Sequence, residues 1–392
     1  MRPAPLIPVL GISFLYSIGT AVLWNGLAFV TKEQYGFGES ANLWLAVYNG
    51  LTYAIAAFVS GPLLRKLSSR LSTRSVIAVV FIAQAALCPL VITSNSTTVL
   101  LVVTGGMSIL SAFFWPVIEA WVSAGRNARG MRSAIGWWNI VWMTAIGIGM
   151  LAIAPLIASG HAQFAIAALA PINLACLLIL LTCLPKTIPV HSDHQPDHSP
   201  PSSYRYLLAS SRALLPTSYA LIGALSPIMP YLLEDLDAPL KWQTPLAAIW
   251  MFSRVAGVGA MWAIPIWHGR WITILAGALM LLIGFATTVT SPSILIMCLG
   301  LVLFGLGQAV IYYGALYYVM SVGNADVDAA GTHEGLIGMG YGMGPAAALG
   351  GVAIGGGGWI VLSSFCIPAV TIWPTLRPFF KQRDQAEINL PS

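Results

Sequence analysis

Residues 191–203 read His-Ser-Asp-His-Gln-Pro-Asp-His-Ser-Pro-Pro-Ser-Ser, within the only long polar stretch of the chain, Pro185 to Ser211. A tract this rich in proline and polar residues cannot bury enough apolar surface to fold, so it is typical of a solvated linker. The chain on both sides of it is strongly apolar. The tract therefore divides the protein into two apolar blocks, and the fold depends on what those blocks contain.

The two blocks contain hydrophobic runs of the length that spans a bilayer, which takes about 20 apolar residues per helix. Only 8% of the residues are charged, against roughly 25% in a soluble domain. We therefore predict an all-α membrane protein of about 12 transmembrane helices in two pseudo-symmetric six-helix bundles, 1–184 and 207–376, with a linker at 185–206 and a cytoplasmic tail at 377–392. The runs lie at 6–30, 41–64, 74–93, 98–123, 133–158, 162–184, 207–233, 242–266, 271–290, 293–322, 329–355 and 357–376.

The distribution of basic residues predicts the orientation, because Lys and Arg concentrate in cytoplasmic loops. With the N-terminus inside, most of the 18 basic residues fall on the cytoplasmic side, while the outer loops hold only Lys32 and Lys241. We expect a multi-pass protein of the plasma (inner) membrane with both termini and the linker in the cytoplasm. The basic residues are dispersed rather than gathered on one face, so no nucleic-acid partner is predicted.

Ionisable side chains inside spanning helices are costly unless they are paired or hydrated, which makes each a functional candidate. Arg254 lies near the centre of the eighth run, where its guanidinium would bind an anionic group or act as a polar staple between helices. Glu119 lies in the cytoplasmic half of the fourth run and suits either proton coupling or a static salt bridge to Arg126, Arg132 or the Arg65-Lys66 cluster. His333 and Glu334 open the eleventh run, either as a proton gate or with Glu334 simply at the positive end of the helix dipole.

Aromatic and weakly polar residues share helix faces near these charges. Ser108, Trp115 and Glu119 lie on one face of the fourth run, at helical spacing. We expect the first, fourth, seventh and tenth helices to surround a cavity. The predicted substrate-binding residues are Trp24, Asn25, Trp115, Arg254, Gln308, Tyr312 and Tyr313.

No metal or cofactor is predicted. His191, His194 and His198 lie in the linker tract, but such a tract does not fix the geometry that metal ligands require. No Walker A sequence is present, so ATP hydrolysis by this chain is not expected.

The two halves resemble each other. LWLAVYNGLTYAIAAFVSGPLL from Leu43 matches TPLAAIWMFSRVAGVGAMWAIPIW from Thr244 loosely, and each is followed by a basic turn and an apolar helix. Halves related by duplication are the usual construction of secondary transporters.

Six plus six helices around a cytoplasmic linker resemble the major facilitator superfamily over the whole chain. That family carries Gly-x-Leu-x-Asp-Arg-x-Gly after its second helix, where this chain has Gly61-Pro-Leu-Leu-Arg-Lys-Leu-Ser. Arg65 stands in place of the family's Asp, so the carboxylate that latches the cytoplasmic gate is missing. In the eleventh run, Gly340-Tyr-Gly-Met-Gly344-Pro345 resembles the family's antiporter motif but lies in the other half, which favours close helix packing.

The resemblance implies a secondary active or facilitative transporter that moves a small organic solute by alternating access, with protons as the candidate coupling ion. Membrane lipid is then its other partner, and no enzymatic activity is expected. Two alternatives stay open at this point. One is a sensor or assembly protein on a transporter fold, and the other is a membrane enzyme, although its best acidic clusters, 234–237 and 326–328, are expected on opposite faces of the membrane.

Overall fold

The computed structural model describes residues 3–67, 70–188, 201–322 and 327–388. Within these residues, 12 helices are long and apolar enough to cross a membrane, which confirms the predicted number. The linker histidines and Asp326 lie outside the described residues. The spans are α1 Leu6–Tyr35, α2 Glu39–Leu67, α3 Thr73–Thr93, α4 Thr97–Ser123, α5 Arg129–Ala158, α6 Phe164–Cys183, α7 Ser203–Asp235, α8 Leu240–Ala263, α9 Trp271–Val289, α10 Ile294–Val319, α11 His333–Ile354 and α12 Gly357–Arg377.

Three boundaries differ from the expected ones. The helix that contains α7 begins at Ser202, inside the stretch 185–206 expected as linker. The last helix runs over Cys366–Ile388, well past the expected end of the twelfth span at 376. The helix that contains α11 begins at Val327, two residues before the expected start at 329, so His333 and Glu334 lie about two turns inside it. Polar residues can continue a helix beyond the hydrocarbon core, so hydropathy marks the apolar part of a helix and not its ends.

Helix α1 is irregular at its centre, where Ala21–Gly26 forms a π-helical turn. Such turns are rare and frequently occur at functional sites, because they displace side chains from the regular helical face. Trp24 and Asn25 lie in this turn.

The two halves meet through α2 against α11 and α5 against α8. Glycines bring the first pair of helices into backbone contact. A methyl group on Gly50 would overlap the backbone of Gly342, and one on Gly338 would overlap Ala54. Gly344 in turn packs against the backbone of Ala220 in α7. These contacts support the packing interpretation of the glycine-rich eleventh helix.

The helices differ in how far they are enclosed. Within its most apolar window, α7 is 89% buried by the rest of the chain, whereas α12 is 22% buried. Large apolar side chains cover the outside of the bundle, among them Ile55, Leu178 and Val370, each more than half exposed. A bundle that buries its central helix and exposes apolar residues all around it has lipid as its solvent.

Six spans precede the linker and six follow it. The N-terminus, the linker and the C-terminal end of the last span therefore lie at one end of the bundle, called here the linker end. At the opposite end the two halves are tied by hydrogen bonds. Tyr231 donates to the carbonyl oxygen of Phe37 at 2.6 Å, and Asn42 donates to the Tyr231 hydroxyl at 2.7 Å. An ion pair joins Lys32 to Glu234 at 2.9 Å. The halves are therefore closed against each other at this end.

Candidate functional site

A cavity of about 60 Å³ lies between the two halves. Eight helices contribute to its wall, so α2, α5, α8 and α11 take part alongside the four helices expected from the sequence. The lining residues are Thr20, Trp24, Asn25, Tyr53, Trp115, Trp138, Trp142, Ile146, Tyr219, Met251, Arg254, Tyr312, Glu334, Ile337 and Tyr341.

Arg254 lies in this cavity inside a cage of aromatic rings. Its guanidinium carbon is 4.5 Å from the ring centre of Tyr312, 5.2 Å from that of Trp142 and 5.7 Å from that of Tyr219. One terminal nitrogen donates a hydrogen bond to the Tyr219 hydroxyl at 3.1 Å. Cation–π contacts of this kind stabilise a buried positive charge but do not neutralise it.

The Arg254 guanidinium has no carboxylate partner among the described residues, although the side chain is only 1% exposed. Its Nε is buried and makes no hydrogen bond to the described residues. An unpaired buried charge costs several kcal/mol, so sites that keep one generally supply a counter-charge from elsewhere. The guanidinium fork is suited to two parallel hydrogen bonds with a carboxylate or phosphate.

A cluster of proton-binding groups adjoins the same cavity through Glu334, which is one of the lining residues. Glu119, His333 and Glu334 place one ligand atom each within 4.8 Å of one another. Glu334, which is buried, accepts a hydrogen bond from the Tyr53 hydroxyl. The Nε2 atom of His333 is buried without a hydrogen-bond partner. By their chemistry these groups can bind protons or a cation.

The cluster joins the two halves, because Glu119 and Tyr53 belong to the first and His333 and Glu334 to the second. Two of the sequence interpretations do not fit this geometry. Glu334 lies two turns inside its helix and not in the first turn, so the helix dipole does not explain it. Arg126, one of the expected partners of Glu119, instead donates to the carbonyl oxygens of Val122 and Ala4.

The predicted substrate-binding residues divide into two groups. Trp24, Asn25, Trp115, Arg254 and Tyr312 all line the cavity. Gln308 and Tyr313 are buried, but they are not among its lining residues.

Both of these residues have partners in the second half instead. Gln308 donates to the carbonyl oxygen of Ser218 and so joins α10 to α7. Tyr313 packs on Trp267 with ring centres 6.0 Å apart.

A second, smaller cavity of about 30 Å³ adjoins the first on the side of the opposite end. It shares Trp24, Asn25 and Tyr341 with the first and is otherwise lined partly by Asn42 and Asn49. Asn49 is 1% exposed, and neither its amide nitrogen nor its amide oxygen has a hydrogen-bond partner. Sequence reasoning missed this residue, although an asparagine in an apolar span is a readable signal.

The chain also resembles known proteins in sequence and in fold. Residues 9–349 match the model of the Major Facilitator Superfamily. No curated protein sequence matches the chain.

Several solved structures share the fold. A bacterial homolog of the human lysosomal transporter Spinster, in an inward-facing and occupied conformation, superposes with a TM-score of 0.67 at 14% identity, covering 96% of both chains. The nucleoside transporter NupG gives 0.66 at 16% identity, covering 95% of this chain and 98% of its own. The E. coli fucose:proton symporter FucP gives 0.58 at 14% identity, with coverage of 95% and 98%. At these identities the likeness concerns the fold alone.

The protein is thus an integral, multi-pass membrane protein with two six-helix halves around a central cavity. It belongs to the major facilitator superfamily, since the family match covers most of the chain. It is a membrane transporter and not an enzyme, as the family and the transporter folds it resembles indicate.

Proposed function

We propose that the protein is a secondary transporter that carries a small organic solute by alternating access and couples the movement to protons through Glu119 and Glu334. The observation that carries this proposal is the position of the two carboxyl groups. They lie on different halves and within 4.8 Å of one another, and Glu334 lines the cavity.

The electrostatics of this pair supports the coupling. Two carboxylates that are close together and partly buried repel strongly when both are ionised, so the closed arrangement favours a shared proton. Opening of the halves at the linker end separates Glu119 from Glu334 and admits water, which stabilises the ionised form of each. Protonation is therefore linked to the change between closed and open arrangements, as proton coupling requires.

The contacts at the opposite end support the same cycle. The hydrogen bonds of Tyr231 and the ion pair of Lys32 with Glu234 close the cavity on that side. These contacts are polar, and the Glu234 side chain is 62% exposed, so losing the ion pair when this end opens costs little. The same cycle suits uphill transport of a solute driven by protons that move down their gradient. FucP, which shares the fold, is a fucose:proton symporter.

Transport in proteoliposomes that contain a pH-sensitive dye tests the proposal. A panel of organic acids, sugars and nucleosides is added, and solute-dependent proton movement is recorded together with solute uptake. We expect Glu119→Gln and Glu334→Gln to abolish uphill accumulation but to retain exchange of labelled for unlabelled solute. Glu33→Gln, whose carboxylate lies at the opposite end and is 4.0 Å from Lys32, is the matched control. Full pH-driven accumulation by both cavity variants would refute coupling through these residues.

We also propose that the linker end faces the cytoplasm, as the distribution of basic residues predicts. Single cysteines introduced at Tyr204 of the linker end and at Asp237 of the opposite end test this by impermeant labelling of intact cells. Labelling of the first from outside would reverse the orientation.

A further inference from the structure

We infer that the substrate is an organic monoanion, with its acidic group on Arg254 and a hydrogen-bonding group at its other end on Asn49. This inference rests on the proposed function and names the class of solute that the site carries. Two buried side chains with unused hydrogen-bonding atoms carry it, one in each of the two adjoining cavities.

Arg254 defines the acidic end. The guanidinium is buried, has a single hydrogen bond and has no carboxylate partner among the described residues. A carboxylate of the substrate would supply both the missing charge and acceptors for the unused Nε–H. The substrate is assigned one negative charge, because Glu334 lines the same cavity and would repel a second.

Asn49 defines the other end. Its amide is 1% exposed, and neither polar atom has a partner within the described residues. Leaving both atoms unpaired in an apolar interior is unfavourable, so the site is suited to a ligand that brings a donor and an acceptor. A hydroxyl or amide group of the substrate satisfies that requirement.

The space between the two residues is bounded by aromatic rings. Trp24 and Tyr341 line both cavities and pack on each other with ring centres 4.5 Å apart, so a substrate that reaches both Arg254 and Asn49 lies along this pair and not between its rings. Flat, apolar walls of this kind favour an aromatic or hydrocarbon body over a sugar or a peptide. The substrate class is therefore a small acid with an apolar body and one neutral polar group.

This inference conflicts with a purely structural role for Arg254, and the two make opposite predictions. If the guanidinium were a staple between helices, its removal would lower the stability of the ligand-free protein. A buried charge that is paired only when a ligand is bound destabilises the ligand-free protein. Its replacement by an apolar side chain therefore leaves the stability of the ligand-free protein unchanged or raises it.

Thermal unfolding of the purified full-length protein provides the test. The probes are 3-phenylpropionate, its neutral analogue 3-phenylpropanamide, and 3-(4-hydroxyphenyl)propionate, each with the wild type, Arg254→Met, Arg254→Lys and Asn49→Leu. We expect both acids to raise the apparent Tm of the wild type and the amide to have no effect. The hydroxylated acid should bind more tightly than the plain one.

The variants should separate the two ends of the substrate. Arg254→Met should weaken acid binding by at least about tenfold, and Arg254→Lys by nearly as much, because lysine lacks the planar fork. Asn49→Leu should keep the response to 3-phenylpropionate and lose only the extra affinity of the hydroxylated acid. Tyr219→Phe, which removes one hydrogen bond to Arg254 and keeps the ring, is a control for folding and should bind acid more weakly but measurably.

Several results would overturn the inference. These are a fall in the ligand-free Tm of Arg254→Met, stabilisation by the amide equal to that by the acids, stabilisation by chloride alone, or no acid effect in the wild type. The outcomes also distinguish the inference from the proposed function. Acid binding that depends on Arg254 without any flux would refute the transport cycle alone. Proton-driven flux of a neutral solute at equal rates in the wild type and in Arg254→Met would refute the anion site alone.

Discussion

Arg254 and Glu334 are buried ionisable groups of opposite type that line one cavity, and Arg254 is paired neither with Glu334 nor with its neighbour Glu119. The guanidinium is held by three aromatic rings and one hydroxyl, whereas Glu334 is held by the Tyr53 hydroxyl and lies close to Glu119 and His333. A protein that needed these charges only for stability would bring them together, since each alone is costly. Keeping them apart leaves the cation available to an anion and the carboxyl groups available to a proton.

A carboxylate introduced next to Arg254 is the most direct way to end the separation of the cation from the carboxyl groups. Met251 lies three residues before Arg254 on α8 and also lines the cavity, so the two side chains are neighbours on one helix face. We expect the new carboxylate of Met251→Glu to pair with the guanidinium. Binding of organic acids should then weaken by at least about tenfold, because the substrate loses its hydrogen bonds to a charged group. Isothermal titration with 3-phenylpropionate measures the change.

Met251→Gln is the matched control, because it has the same size and no charge. We expect it to bind the acid within about threefold of the wild type, since it leaves the guanidinium charge uncompensated. Equal affinity of the Glu and Gln variants would mean that Arg254 does not hold the acid.

A smaller effect is expected on the carboxyl side. Tyr53→Phe removes the hydroxyl that donates to Glu334 and keeps the ring against Trp24, whose centre is 5.4 Å away. Leaving a buried carboxyl group without its donor should lower the free energy of unfolding by about 1–3 kcal/mol. The apparent Tm in the absence of ligand measures the loss.

Tyr48→Phe is the control for this substitution. Its hydroxyl donates to the carbonyl oxygen of Leu101 at 3.1 Å from a more exposed position, so its loss should cost less. In addition, Tyr53→Phe and Glu334→Gln should be non-additive when combined, because the two groups share one interaction. Additive effects would mean that the hydroxyl does not stabilise Glu334.

The sequence predicted the charged residues of the site better than the neighbours that hold them. Charge in an apolar run is a strong signal, so Arg254, Glu119, His333 and Glu334 were all identified. Their neighbours depend on which helices pack together, and the spacing of residues along one helix does not contain that information. Tyr53 and Tyr219, which hold Glu334 and Arg254 by hydrogen bonds, were therefore missed. For the same reason the sequence gives no sign of the contacts that Gln308 and Tyr313 make with Ser218 and Trp267 in the second half.

The fold was more predictable than the site, because bilayer thickness limits the length of each helix and hydropathy then gives the number of spans. The helix ends were less predictable. The turn at Ala21–Gly26, which brings Trp24 and Asn25 to the cavity, has no distinctive sequence pattern, since π-helical turns arise from local packing.

The smallest effect is expected at the opposite end, where the charges are paired in the ordinary way. Glu234 is 62% exposed at its side chain and lies 2.9 Å from Lys32. Exposed ion pairs contribute about 0.2–1 kcal/mol, so Glu234→Gln should shift the balance between closed and open arrangements by less than about fivefold. Tyr231→Phe removes a hydroxyl that accepts from Asn42 and donates to Phe37, so it should shift the balance further. A cysteine at Ala46, which lines the smaller cavity, reports opening through its rate of labelling in a background without the five native cysteines. Faster labelling in Glu234→Gln than in Tyr231→Phe would mean that the surface ion pair, and not the partly buried hydroxyl, closes this end. Paired surface charges would then contribute more than the contrast with the unpaired buried charges assumes.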